Sequence, residues 1–279
     1  NVHPEDVRRL IDQLRFAKQR MKTPVNVSIE NIGSPINTVH HEYVPLVYGD
    51  ENEIFFTSRR PGSTGGLKDP TGLEFEDVYV SQKEHGYWAA PRQLNENINT
   101  STHDACAGLS PDGQILFIFR TNADLRSGNL YRSDLDENGW GPVQSLPSDI
   151  NSEFIESSIT ISADEKIMYF SSNREGGYGG KDIYRVVKLP TGDWSLAQNL
   201  GPTINTPFDE DAPYIHADGK TLYFSSKGHS SVGGYDIFKS DLVDGKWTKA
   251  QHLPIPVNTP DDDVYVWVSP DEKQIAYGT

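Results

Sequence analysis

The stretch Glu210–Trp247, EDAPYIHADGKTLYFSSKGHSSVGGYDIFKSDLVDGKW, decides how the rest of the chain is read. Asp211 to Ile215 is a short strand, and Asp218-Gly219 is a tight turn of the kind that joins antiparallel strands. Leu222 to Ser226 is a second strand. A glycine-rich loop through Gly233-Gly234 leads to a third, Tyr235 to Ser240, and a turn at Asp244-Gly245 brings in Trp247 and a fourth. The same order recurs along the chain. Turn aspartates Asp50, Asp112, Asp164, Asp218 and Asp271 lie 62, 52, 54 and 53 residues apart. Asn37, Asn99, Asn151, Asn205 and Asn258 keep the same beat, as do Trp88, Trp140, Trp194 and Trp247 at hairpin ends. A strand-rich period of about 50 residues indicates a propeller or an array of small sheets. Four strands per period make one blade, whose apolar faces need neighbouring blades to be buried.

The expected fold is therefore all-β: a five-bladed β-propeller of four-stranded antiparallel blades over residues 25–279, preceded by one N-terminal α-helix within residues 1–24. The fifth repeat has two strands, Val264 to Val268 and Gln274 to Tyr277, and so lacks its third strand, while Val25 to Ile32 is an extra strand ahead of the first repeat. Pairing of that extra strand with the outer edge of the last blade would latch the ring and protect its edges. In the helical segment, Val7, Leu10, Ile11, Leu14, Ala17 and Met21 share one face between Pro4 and Lys22. Glu5 and Asp6 suit its N-terminus, and Thr23-Pro24 stops it. Its apolar stripe needs a partner, either the side of the propeller or an earlier helix of a helical array.

Composition narrows the function. A formal charge of −15 argues against nucleic acid, whose binding rests on clustered Lys and Arg, and favours basic partners or cations. No apolar run is long enough to span a membrane. The single cysteine, Cys106, reads as a small core residue. The start at Asn1, with no Met and no leader-like segment, suggests trimming from a longer precursor.

One acidic position recurs without exception. Eight residues before each turn aspartate stands a carboxylate: Glu42, Asp104, Glu156, Glu210 and Asp263. Placed at the start of each innermost strand, the five would converge near one mouth of the central channel and form a ring able to hold a cation or a basic segment. The alternative is that each caps a loop amide in its own blade. No catalytic pattern accompanies them. The carboxylates come as equivalent copies, His40-His41 lacks zinc-site spacing, and there is no Gly-x-Ser-x-Gly elbow. Gly176 to Gly180 is followed by neither Lys-Ser/Thr nor a helix, so it reads as a blade loop and not as a phosphate cradle. No cofactor is expected.

The phrases Asn199 to Thr206 (NLGPTINT), Leu222 to Ser226 (LYFSS) and Gly176 to Tyr184 (GGYGGKDIY) resemble the WD40-like, TolB-type propeller repeats of OmpA-family envelope proteins of Bacteroidota, over about residues 4–279. The best-known member type is the PorE-like component of the type IX secretion system. The resemblance implies a periplasmic, outer-membrane-associated scaffold whose partners are proteins of the cell envelope or secretion machinery. It further implies a tetratricopeptide array before such a propeller, and often an OmpA-like domain after it. Peptidoglycan would be reached only through that domain, which these residues do not contain. Repeat two departs from the pattern, with no glycine-rich loop and Asn129-Leu130-Tyr131 in place of Asp182-Ile183-Tyr184. The expected function is non-enzymatic protein interaction. Glycan capture around Tyr87-Trp88 and Tyr178 is the alternative, with a five-bladed glycoside hydrolase behind it.

Overall fold

The computed structural model describes residues 4–23, 25–48 and 51–279, with side chains from residue 7 onward. Asp50 and Pro24 thus lie outside the described residues. The β part consists of antiparallel sheets built to one plan. In the first, Glu42–Tyr48 is innermost, followed by Glu53–Ser58, Asp77–Glu84 and the short outer strand Arg92–Gln93. The second runs Asp104–Leu109, Ile115–Thr121, Gly128–Asp136, Gln144–Ser145. The third runs Ile159–Ile161, Ile167–Ser172, Asp182–Val187, Gln198–Asn199, and the fourth Glu210–Ile215, Thr221–Ser226, Asp236–Val243, Gln251–His252. Val264–Val268 and Ile275–Gly278 form a two-stranded sheet.

Two expectations need correction here. The propeller has four blades, not five, because the fifth repeat supplies only the two inner strands. Nor is the segment 25–32 a strand. An outer strand of this repeat pairs only with the third strand of its blade, and the fifth sheet has none. The latch is accordingly replaced by side-chain packing. Val266 and Val268 join Tyr223 and Ile237 of the fourth blade, Tyr265 packs against the cluster around Val44 of the first, and the Tyr214 hydroxyl donates to the Val268 carbonyl at 3.0 Å.

Local chemistry explains the blade. Each second strand is a run of apolar and aromatic residues buried on both faces between neighbouring blades, as in Leu222, Tyr223 and Phe224. The turn before it is closed by its own aspartate. Asp112 accepts from Ser110 Oγ at 2.5 Å, Asp164 from Ser162 Oγ at 2.7 Å and Asp271 from Ser269 Oγ at 2.8 Å. The residue after the aspartate takes a left-handed conformation, supplied without steric cost by Gly113 and Gly219 and at some strain by Glu165 and Glu272.

The recurring asparagine holds the third strand. Asn205 Oδ1 accepts the Ile183 N–H at 2.8 Å while its Nδ2 donates to the Ile183 carbonyl at 3.0 Å. Asn99 grips Val78, Asn151 grips Leu130 and Asn258 grips Ile237 in the same two-point way. Asn205→Ala should leave the N–H of buried Ile183 unsatisfied, while its carbonyl keeps the Leu200 N–H, and cost about 1–3 kcal/mol in chemical denaturation.

Blades also meet at glycines. A Cβ on Gly108 would fall 2.0 Å from the Ile159 carbonyl oxygen of the next blade, and one on Gly179 would fall 1.8 Å from that of Phe208. The glycine-rich loops are therefore seats for the neighbouring blade. Gly108→Ala should force the second and third blades apart and lower stability by about 1–3 kcal/mol, read as a shift in the urea midpoint.

The helix Pro4–Arg20 lies on the fourth blade. It docks with its mixed face: Arg9 donates to the Lys227 carbonyl at 2.6 Å, Gln13 to Ser231 Oγ and the Gly233 carbonyl at 2.7 Å, and Phe16 meets His252 edge-on. The apolar stripe of Val7, Leu10, Ile11 and Leu14 faces solvent, Leu14 being 69% exposed.

Candidate functional site at the channel mouth

The five recurring carboxylates sit at the start of the innermost strands, and each is bonded to the loop that precedes it. Glu210 Oε2 accepts the Thr206 N–H at 2.7 Å, and Oε1 accepts the Thr206 and Ser226 hydroxyls at 2.6 Å. Glu156 does the same with Ser152 and Ser172, Glu42 with Thr38 and Ser58, Asp104 with Thr100, and Asp263 with the Thr259 N–H. In the first three blades an arginine joins them: Arg60 to Glu42, Arg120 to Asp104 and Arg174 to Glu156. The fourth blade has Gly228 where Arg60 and Arg174 stand, and among the described residues no cation pairs with Glu210.

Their electrostatic neighbours lie outward, across the seams. Burial pushes the Asp104 and Asp263 carboxyls up, with Asp236 adding repulsion to Asp263. Glu210 is pushed up to about 7 by burial, with repulsion from Asp182, against the opposing hydrogen bonds from Ser226 and Thr206. Asp236 and Asp182 belong to the third strand of the preceding blade, where Asp182 in turn accepts the Tyr178 and Gly179 amides. None of the five carboxylates lines the central cavity.

That cavity, of about 630 Å³, is bounded by the innermost strands, among them Val44, Ala107, Ile159, Pro213, Val266 and Trp267. Next to its lining residues Val44, Ser158, Ala212 and Tyr265, where the innermost strands begin, lie two sets of positions that differ from blade to blade. One set directly follows the recurring carboxylate: Tyr43, Ala105, Ser157, Asp211, Val264. The other directly precedes the third-strand Asp: Glu76, Lys181, Tyr235, with Gly128 opening that strand in the second blade. The backbone puts the two sets side by side, because the Glu76, Lys181 and Tyr235 carbonyls accept from the Asp104, Glu210 and Asp263 amides of the next blade at 2.9, 2.8 and 2.7 Å.

Asp211 is the focus of one cluster. Its Oδ2 meets Lys181 Nζ at 2.6 Å, and its Oδ1 accepts from Ser158 and Ser171 at 2.6 Å each, while Lys181 also donates to Ser157 at 2.8 Å. Burial pushes the Asp211 carboxyl up, yet the Lys181 charge and these hydrogen bonds outweigh it and hold the pKa below the ordinary value. A second cluster joins Glu76 to the Tyr43 hydroxyl and to His103 Nδ1 at 2.8 Å. Burial opposes ionisation of Glu76 too, and the contacts with His103 and Tyr43 bring its pKa below normal. Tyr43, Tyr235 and Tyr265 are all pushed well up, first by burial and then by the negative charges around them. The mouth thus holds two unlike ionised carboxylates in a setting of neutral phenols, one lysine and one histidine.

Sequence reasoning passed over Asp211, Lys181, Glu76 and His103 because it followed what repeats. The signal was present in what does not, since Asp211 breaks the series at a position that is otherwise Tyr, Ala, Ser or Val. The remaining motifs are structural. Trp140 packs edge-on against Phe55 of the preceding blade and Trp247 against Tyr169, with centroids 5.8 and 5.9 Å apart. Cys106 is buried, and burial pushes its thiol up to about 12. Among the described residues one group has the makings of a cation site: His216, Asp218 and Glu272, whose ligand atoms lie within 4.8 Å of one another. Two Asp218 oxygens already accept from Lys220, Thr221 and its hydroxyl.

No family model matches the chain, and no curated protein matches it. Solved structures do. TolB from Acinetobacter baumannii aligns with a TM-score of 0.53 at 16% identity, over 86% of this chain and 49% of that one, so this chain spans about half its length. A putative TolB from Agrobacterium tumefaciens aligns at 0.51 and 16%, over 94% and 96% of the two chains. A glycoside hydrolase aligns at 0.57 and 12%, over 96% and 88%. At such identities the likeness is one of fold. The chain is a β-propeller-type protein whose structural neighbours include the TolB-type propellers.

Proposed function

We propose that this chain is a non-enzymatic, periplasmic protein-interaction scaffold, similar to the propeller module of the OmpA-family envelope proteins and of type IX secretion components, with the channel mouth as its recognition face. The observation that carries the reading is the division of labour among acidic groups. Those that repeat are bonded inside the seams and keep the frame rigid; of those that do not, Asp211 is buried against Lys181 and Glu76 is left part-exposed, where a partner would meet it. The Asp211 carboxylate already has four close donors and Glu76 has two, which suits a fixed recognition surface better than acid–base turnover. An acidic chain of this kind favours partner segments carrying Lys or Arg. The test is co-purification from an envelope fraction with the unaltered chain and with a Glu76→Gln/Tyr235→Phe variant. A partner whose recovery falls about tenfold with the variant supports the reading. Hydrolysis of a polysaccharide by the purified chain, abolished by Asp211→Asn, would overturn it in favour of a glycosidase.

A further inference from the structure

One turn of the repeat carries a side chain that the turn itself does not need. In the second, third and fifth repeats the turn reads Ser110-Pro111-Asp112, Ser162-Ala163-Asp164 and Ser269-Pro270-Asp271. There the serine hydroxyl accepts the amide three residues past the aspartate, that of Ile115 at 2.9 Å, Ile167 at 3.0 Å and Gln274 at 3.0 Å. In the fourth repeat His216 stands in place of the serine. Asp218 Oδ1 accepts the corresponding Thr221 amide directly, at 2.8 Å, so the histidine is released from that task.

The ring is nonetheless held in one state. His216 is 4% exposed, and its Nε2 lies 3.2 Å from the Ser269 carbonyl oxygen, which can only accept, so Nε2 carries the proton. Nδ1 keeps its lone pair, in agreement with the long 3.4 Å approach of the Asp218 N–H. That lone pair faces an Asp218 oxygen at 3.5 Å, two acceptors with no proton between them. Glu272, from the turn of the adjoining two-stranded sheet, brings a second carboxylate, and one ligand atom from each of the three residues falls within 4.8 Å of the others. Among the described residues no Lys or Arg side chain pairs with Asp218 or Glu272. The bonds that Asp218 makes are those of a supported ligand: Oδ2 accepts only the Thr221 hydroxyl, at 2.8 Å, and keeps a lone pair, while that hydroxyl reaches on to Asp241 at 3.3 Å.

We propose that His216 Nδ1, Asp218 and Glu272 bind one divalent first-row transition ion of the Zn²⁺ type, which ties the fourth-blade turn to the turn of the next sheet, with water in the remaining positions. The donor set selects the ion. A neutral imidazole beside two carboxylates suits Zn²⁺ and its neighbours, whereas Mg²⁺ and Ca²⁺ prefer oxygen alone. The Ser269 carbonyl on Nε2–H is the outer partner that orients a metal-binding histidine. These turns lie at the other end of the innermost strands from Asp211, beside Ala217 and Pro270 of the central cavity, so the site stands apart from the recognition face proposed above. The repeat supplies its own control. Glu165 follows Asp164 as Glu272 follows Asp271, but the turn of the blade before it carries Ser110 where His216 stands.

The probe is Zn²⁺, titrated by calorimetry into the intact, chelator-treated chain. Saturable one-to-one binding is expected, with a melting temperature that rises with Zn²⁺ concentration, a shift of the His216 ring nitrogen signals in NMR, and no displacement by equal Ca²⁺ or Mg²⁺. Glu272 is exposed, so Glu272→Gln should leave the melting temperature of the metal-free chain unchanged. It should weaken Zn²⁺ about tenfold or more, the loss that removal of even an outer-shell partner brings. His216→Ser, which restores the residue the other turns use, should fold and lose the site, whereas Glu165→Gln should bind as the unaltered chain does. The proposal is overturned if Zn²⁺ binding does not saturate, if the His216 ring signals stay unmoved, or if Glu272→Gln and His216→Ser leave the affinity unchanged, which would place the ion elsewhere, as at His40-His41.

Discussion

Lys181→Met should be among the most destabilising single changes at the channel mouth, at about 3–5 kcal/mol, or roughly 10 °C in melting temperature for a chain of this size. The reason is the position of Asp211. Its side chain is enclosed by Ser158, Ser171 and Lys181, and the lysine is the only full positive charge on it. Without that charge the balance reverses: burial, which already opposes ionisation, is no longer outweighed, and the carboxyl takes up a proton. The sign of the pH dependence changes with it. In the unaltered chain the depressed pKa makes a contribution that is present above the unfolded value near 4 and lost as pH falls through the folded one. In Lys181→Met the same group should favour the fold below pH 4 and oppose it at pH 8. Adding Asp211→Leu should recover much of the loss, since removing both charges leaves none uncompensated. Melts of the three chains at pH 4.5 and 8 decide it. A loss below about 1 kcal/mol with an unchanged pH slope would mean that water already serves Asp211.

The contrast between Asp211 and the repeated carboxylates explains how much was legible beforehand. Whatever all repeats share could be read directly: the turn aspartates, the strands and the packing tryptophans each solve the same folding problem in every blade, so periodicity reveals them. Periodicity also misled. It promoted Val25 to Ile32 to a strand because the apolar alternation is right, but a strand exists only where another offers hydrogen bonds, and the third strand that would do so is not among these residues. It set Glu42, Asp104, Glu156, Glu210 and Asp263 before the channel because they begin the innermost strands. The carboxylates are instead bonded to the loops before their own strands, and the next residue along makes the contacts that differ from blade to blade, Tyr43 with Glu76 and Asp211 with Lys181. Pairing of Lys181 with Asp211 needed the register between two blades, which no local pattern states.

Glu210 carries the other large prediction, and its direction is opposite to that of Asp211. Burial and the repulsion of Asp182 push its carboxyl up to about 7, whereas an unfolded glutamate titrates near 4.5. Between those values the folded chain holds a proton that the unfolded chain has released, so stability falls as pH rises across this window and the full penalty is present above it. The 4.5-to-7 difference corresponds to about 3 kcal/mol at pH 8. Glu210→Gln keeps the shape and an oxygen for the Thr206 amide, and the Thr206 and Ser226 hydroxyls can turn to accept from the new amide nitrogen. It should therefore stabilise the chain at pH 8, do little at pH 4.5 and flatten the slope between them. Glu156→Gln, in the same place one blade earlier, should instead destabilise the chain, because Arg174 lies 3.2 Å from that carboxylate and would lose its charged partner in a buried setting. Denaturant midpoints of both variants across pH 4.5 to 8 test the pair. Equal behaviour of the two would show that Arg174 does not set the third-blade carboxylate apart from Glu210.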